Sequence, residues 1–370
     1  MKDFHGLIFA YSASPELREL VSDRTAASLP FCGRYRLIDF SLANLQNAGI
    51  VNVGVIMQRD YQSLLDHIGN GQSWDMSRKV GGLRILPPFG LPEYHKGNYS
   101  GTMEALNAVS SYIRDINEKH IIILLSSLCA NIDLSAACEA HLKSGAGITA
   151  LCADGIPAEV HHRYVVGKNG FVKSILFDRT TDEEGLASLE GYIIEKSVLL
   201  DLMNRCRERE LLRFHRDGIT MYLNGGGKMN VYRHTGYARI IRTVDSYYRT
   251  NMDMLNADCR HDLFAPDRPV NTRHLEGVST YYGENASSIN SLVADNCIIL
   301  GNIENCIIFS GVRIGKGAKI RNSIIMRGSV VGEWSEISNV IADKRVSFAP
   351  GTTLMGSPKL PMIIPKNTEI

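Results

Sequence analysis

From residue 300 onward, aliphatic side chains return every sixth residue. Leu300, Cys306, Val312, Ala318, Ile324 and Val330 form one series, and Ile308, Ile314, Ile320 and Met326 form a second with the same period. Glycine, serine and asparagine fill many of the positions between. A step of six matches neither the 3.6 of a helix nor the 2 of a strand. It fits a parallel β-helix, in which each side of a triangular coil takes one hexad. Stacked coils then bury the repeated aliphatics in one continuous core. The alternative, a β-sandwich with accidental spacing, has to explain why so many steps hold in register.

The first 250 residues read differently. Leu7 to Ala10, Val51 to Met57, His120 to Leu125 and Gly147 to Cys152 are short apolar strand candidates. Phe40 to Asn47, Ser100 to Ile116 and Ser135 to Ser144 have helical spacing between them. This alternation predicts an α/β domain with a Rossmann-like, mixed but mostly parallel sheet. Ligands in such sheets sit at the carboxyl ends of strands, so the segments after Ala10, Met57 and Leu125 are where chemistry is expected. Val244 to Leu255 is a closing helix, and HDLFAPDRPVNTRH from His261, with its two prolines, reads as a linker. The expected division is 1–258, a linker at 259–284, and a β-helix at 285–370.

Composition narrows the partners. A formal net charge of +1, with no long run of one sign, gives no reason to expect nucleic acid or a membrane surface. No stretch of about 20 apolar residues exists to span a bilayer, and the N-terminal apolar run is too short for a signal peptide. The eight cysteines form no CxxC pair, which fits free thiols in a reducing cytosol rather than a metal or disulfide framework. The adjacent His161 and His162 lack carboxylate or cysteine company, and neighbouring residues point apart on any regular element. The glycine-rich Tyr222 to Lys228 does not match GxxxxGK[ST] and reads as a loop.

Residues 30–58, PFCGRYRLIDFSLANLQNAGIVNVGVIMQ, resemble the PFGGKYRIIDF…LSN…NSGI…VGVLTQ signature of bacterial ADP-glucose pyrophosphorylases. HIGNGQSWDM (67–76), ILPP (85–88), SGTMEAL (100–106) and TVDSYYRTNMDML (243–255) follow that family's pattern in order. The resemblance spans nearly the whole chain. It implies a nucleotidyltransferase domain followed by a left-handed parallel β-helix, and a tetramer in glycogen or starch synthesis. The family joins ATP and glucose 1-phosphate with release of pyrophosphate. Such a transition state concentrates negative charge, so catalysis rests on positioning, cationic side chains and Mg²⁺.

Four family features supply that chemistry, and local alignment finds each altered. The phosphate loop GGxGTRL aligns with Tyr11-Ser12-Ala13-Ser14-Pro15-Glu16-Leu17. Its glycines are gone, Pro15 lacks an N–H donor, and Glu16 stands where the resemblance places an Arg. In KPAVPF the phosphate-contacting Lys becomes Ala26, and Arg24 nearby is a candidate substitute contact. In LSGDH the Mg²⁺-holding Asp becomes Leu128, and in YWxDVGT the second metal Asp becomes Ile240. An aliphatic group offers Mg²⁺ no oxygen. Some pocket positions persist. Gln58 stands at the family's base-contacting Gln, and Gly101 and Thr102 keep the GT of GTADA, with Met103 and Glu104 replacing AD. Arg179, in FDRT, falls near the sugar-phosphate Lys of EKP and is a second candidate phosphate contact.

The resemblance therefore implies a degenerate member, similar to the D-type glycogen-synthesis subunit found beside an active C-type subunit. It would regulate or scaffold a catalytic subunit in a cytoplasmic hetero-oligomer, a tetramer by family pattern, with a homo-oligomer open when alone. No catalytic residue, metal or cofactor is expected in this chain, and Mg²⁺ belongs to the active partner. A weakly active adenylyltransferase is the alternative. A ligand sensor using the vestigial pocket stays open. An acyltransferase on the β-helix lacks a catalytic histidine, since residues 285 to 370 contain none.

Overall fold

The structure, a computed structural model, describes residues 2–10, 15–88, 98–154, 162–177, 185–274 and 276–370. By compactness the chain forms two units, each drawn from several stretches. The first comprises Met1–Ser12, Ile38–Ile240 and Leu263–Asn271, and the second Ala13–Leu37, Ile241–Asp262 and Thr272–Ile370. This division differs from the reading by chain position, because residues 13–37 and 241–262 group with the β-helix. The segment read as a linker holds most of a helix, Ala257–Leu263, and the first β-helix strand, Tyr281–Tyr282.

In the first unit the core strand Phe4–Phe9 lies between Val53–Ile56 and His120–Leu125, parallel to both. Leu83–Leu86 extends the parallel run beside Val53–Ile56. Leu186–Glu195 then adds antiparallel to His120–Leu125, and Ile148–Ala153 antiparallel to Leu186–Glu195. The sheet is mixed and mostly parallel at its centre, as the alternating pattern predicts. Strands covered on both faces read as unbroken apolar runs, and all six residues of Phe4–Phe9 and Ile148–Ala153 are buried.

The helix expected from Ser100 to Ile116 is two helices, Thr102–Ala108 and Ser110–Asp115, separated at Val109 (φ −103°, ψ 20°). A β-branched residue followed by two serines favours such a break, because serine side chains compete for backbone hydrogen bonds. Helices Leu37–Asn47 and Leu134–Ser144 form where the spacing places them.

At the amino-terminal end of this sheet, His141 bridges two elements. Its Nδ1 lies 2.8 Å from Thr149 Oγ1 and its Nε2 3.2 Å from His120 Nδ1. Burial, then the neighbouring His120, pushes His141 down to about 4 from its ordinary 6.5. A group depressed on folding contributes stability that is present above 6.5 and lost as pH falls through about 4. Denaturant melts should therefore show a loss of roughly 3 kcal/mol across that window. His141→Gln, which keeps a hydrogen-bonding amide, should flatten the slope. An unchanged slope in that variant would assign the acid sensitivity to other groups.

In the second unit three sheets of five parallel strands each stack into coils, the arrangement of a left-handed β-helix. Of the second aliphatic series, Ile308, Ile314 and Ile320 line its interior, whereas Met326 is buried next to the interior Ile325, one place out of phase. The first series departs from expectation. Cys306, Val312 and Ala318 are interior, but Ile324 lies on the outer face of its strand and Val330 is 41% exposed. The cause is coil length. Arg313 pairs with Val330 and Val330 with Ser347, a step of 17 residues, one short of three hexads, so the two phases drift apart.

The outer row Ile307, Ile324 and Ile341 is nonetheless buried. The helix Val244–Asp253 and the segment near Gly33 run beside this face. Tyr248 Oη donates to the Asn322 carbonyl at 2.7 Å. Gly33, at φ +80°, sits where an added Cβ would lie 3.7 Å from the Ile308 carbonyl. The same helix holds residues 30–32, with Tyr247 Oη donating to the Pro30 carbonyl and Cys32 N–H to Asn251 Oδ1. Thr243 and Ser246 close its N-terminus as a reciprocal capping box.

Candidate functional site

The two positions that carry the resemblance's metal carboxylates are brought face to face. Leu128 begins the strand Leu128–Ala130, just past the carboxyl end of His120–Leu125. Ile240 ends the strand Ala238–Ile240, which pairs antiparallel with it, and Ile240 is the direct partner of Leu128. Each side chain is 2% exposed. Directly opposed residues on such a ladder have Cβ atoms about 4.5–5.5 Å apart. The pair is aliphatic and buried.

Gln58 follows the strand Val53–Ile56 at its carboxyl end and is buried. Its Nε2 has no hydrogen-bond partner among the described residues. Gly101 and Thr102 start the helix Thr102–Ala108 and grip the segment 212–214. Phe214 N–H donates to Thr102 Oγ1 at 2.9 Å, and Met103 N–H to the Leu212 carbonyl at 2.9 Å. A Cβ on Gly101 would lie 2.2 Å from that carbonyl oxygen, so this glycine is required by close backbone approach.

Three further positions belong to the second unit. Glu16 is exposed in the turn segment Pro15–Val21. Ala26 is buried in the short turn Ala26–Ser28. Arg24, read as a substitute phosphate contact, is buried and bound internally. Its Nη2 lies 2.5 Å from Asp343 Oδ2, and its Nε donates to the Leu20 carbonyl at 2.8 Å. Beside this pair sits Lys344, pulled down to about 7 by burial and then by Arg36 and Arg24. Residues 11–14, His161 and Arg179 lie outside the described residues.

Residues 7–253 match the nucleotidyl transferase family, and residues 277–358 match the GlmU-like C-terminal hexapeptide family. The chain is 28% identical over 361 residues to the glycogen biosynthesis protein GlgD of Bacillus subtilis (strain 168), which covers 98% of this chain and 95% of that protein. It is 30% identical over 353 residues to a glucose-1-phosphate adenylyltransferase of Acetivibrio thermocellus, covering 93% of this chain and 82% of that one. A third relative, the glucose-1-phosphate adenylyltransferase of Clostridium botulinum (strain Alaska E43 / Type E3), is 31% identical over 327 residues, covering 86% and 83%. The chain belongs to the bacterial glucose-1-phosphate adenylyltransferase family.

The Mg²⁺ that the family resemblance implies does not fit at the Leu128–Ile240 pair. Mg²⁺ demands oxygen ligands in near-octahedral array, and the two side chains present are hydrocarbon. His162, set aside in the sequence as a metal candidate, lies 2.9 Å from Tyr164 Oη and 3.3 Å from Tyr192 Oη, with its ring stacked on His215.

Two contacts were not legible in the sequence. His67 of HIGNG lies 2.5 Å from the buried Asp39 of RLIDF, so two separately matching blocks fasten one another. Asp343 holds Arg24 across 319 positions of chain. The signal available was a charged residue inside an otherwise apolar run, since a buried charge demands a partner. The pattern does not say which partner.

Proposed function

We propose that this chain acts in glycogen synthesis as a non-catalytic partner of an active glucose-1-phosphate adenylyltransferase subunit, in a cytoplasmic hetero-oligomer. The observation that carries the reading is the Ile240–Leu128 pairing. Two substitutions 112 positions apart, each unremarkable alone, remove both halves of one ligand pair. The Mg²⁺ and the chemistry then belong to the partner subunit. A chain that keeps its fold can still bias a partner if it binds that partner's active conformation more tightly.

Purified alone, this chain should form no ADP-glucose, where ordinary enzymes turn over at roughly 1–1000 per second. Mixed with the catalytic subunit of the same cell, it should change apparent substrate affinity about 5- to 150-fold. A stable complex whose kinetics match the catalytic subunit alone, under every effector tried, would leave only a scaffold role. Mg²⁺-dependent turnover by the isolated chain would favour the residually active alternative. The buried, unpartnered Nε2 of Gln58 supports a second reading, retained nucleotide contact without catalysis. Titration of the isolated chain with ATP and ADP-glucose, repeated with Gln58→Ala, separates the two.

A further inference from the structure

In the first unit a cavity of about 520 Å³ opens among the end of the helix Lys196–Glu208, the turn Phe214–Gly218 and the helix Ile219–Asn224. That volume is in the range of small-molecule sites, roughly 300–1,000 Å³. Three arginines line it, Arg205, Arg209 and Arg216. Arg209 and Arg216 side chains make no hydrogen bond or ion pair with any described residue. Arg205 has only a partly exposed pair with Asp201 at 3.3 Å, a kind of contact worth little. The one carboxylate in the lining, Asp217, is turned to the Arg213 N–H at 2.9 Å.

Basic residues at a helix C-terminus also offset the helix dipole, which accounts for Arg205 and touches Arg209. It does not account for Arg216, which sits in the turn that follows, on a different element. The wall holds two further features a ligand would meet. Thr220 Oγ1 is buried without a hydrogen-bond partner among the described residues, and the exposed Phe177 lines the cavity with the buried Met221. Several arginines, an unsatisfied hydroxyl and apolar surface in one cavity are what a phosphorylated carbon skeleton requires.

We propose that this cavity binds a small phosphorylated metabolite carrying at least two negative charges. The three arginines take the phosphate oxygens, and Phe177 and Met221 take the carbon skeleton. The site belongs to this chain alone, so its occupancy depends neither on a catalytic partner nor on the proposed subunit role. Leu211, which lines the cavity, is followed along the chain by the segment 212–214 that Gly101 and Thr102 grip.

The test is calorimetric titration of the full chain with glucose 6-phosphate and with pyrophosphate, at ionic strength held constant with sodium chloride. Saturable binding is expected for both probes. It should weaken at least about tenfold in Arg209→Gln/Arg216→Gln, since two charge-assisted contacts are lost, and remain unchanged in Gln58→Ala. Binding that is absent at about 10 mM probe, or insensitive to the arginine changes, or lost in Gln58→Ala, overturns the proposal. Should the double variant not fold, Arg216→Lys keeps the charge and removes the bidentate fork. Hydrogen exchange of the unaltered chain then gives a second reading. Glucose 6-phosphate should slow exchange across residues 214–221, and no protection there counts against the site.

Discussion

Asp343→Ala will destabilise the second unit by about 3–5 kcal/mol, the usual cost of stranding one member of a buried ion pair, and will steepen its dependence on pH. Arg24 and Asp343 are both buried and lie 2.5 Å apart. Their surroundings are one-sided. Lys344 is depressed to about 7 by burial first, then by Arg36 and Arg24, with Lys366 adding to them, while Asp343 opposes the shift. A lysine whose folded value lies below its unfolded 10.5 makes the unfolded state bind more protons between those two values. Stability of the unaltered chain should therefore rise as pH climbs from about 7 to 10.5, and be lost as pH falls back through about 7. Removing Asp343 takes away the opposing charge, so Lys344 moves further down and the window opens at lower pH. Arg24→Met should cost less, because Asp343 then faces Lys344 in its place. Calorimetry at pH 7, 9 and 10.5 on the three proteins checks the order. An Asp343→Ala protein as stable as the parent at pH 7 would mean that Arg24 reaches solvent when released.

That pair also shows what the sequence could and could not tell. Arg24 read as a candidate phosphate contact because it stood near a lost lysine, and proximity in sequence was the only information available. Its partner lies 319 residues away, and no local pattern encodes a contact of that span. The β-helix, by contrast, announced itself, because every coil repeats the same burial requirement. Even there, the coil step of 17 residues defeated a strict count of six, and Val330 turned outward. The nucleotidyltransferase-like sheet was legible wherever strands are buried on both faces. His120 to Leu125 was placed to the residue because six consecutive apolar or ring-bearing side chains admit few alternatives. At the candidate site, residue types were readable and juxtaposition was not. Leu128 and Ile240 each stand where the resemblance places an Asp, but only strand pairing brings the two together. Thr102 kept the family's letter while gripping Phe214 N–H, a role that a motif match does not distinguish from ligand contact.

Placing carboxylates at both members of that pair, Leu128→Asp with Ile240→Asp, should cost at least about 4 kcal/mol near pH 7, the range reached when unpaired charge is buried in a core. Both positions are 2% exposed, and opposed residues on the ladder stand about 4.5–5.5 Å apart. Desolvation and mutual repulsion raise both carboxyls above their ordinary range. A raised carboxyl keeps its proton longer in the folded state, so the loss should grow as pH rises and shrink on acidification. Mg²⁺ should then recover part of the stability, because two facing carboxylates supply the oxygen donors that the Leu128 and Ile240 side chains do not. Saturation at about 100 times the dissociation constant would return about 2.7 kcal/mol. Recovery specific to Mg²⁺, absent with matched sodium chloride, would indicate that the frame of a metal site outlasts its ligands. No recovery would mean that the surrounding donors have gone as well. In neither case should ADP-glucose form. Ala26 still stands where the resemblance places a phosphate-contacting Lys and Glu16 where it places an Arg, and catalytic groups that act as a unit do not return one at a time. Turnover by the double variant alone would instead place the whole deficit at these two residues, and the chain would be an enzyme that lost only its metal.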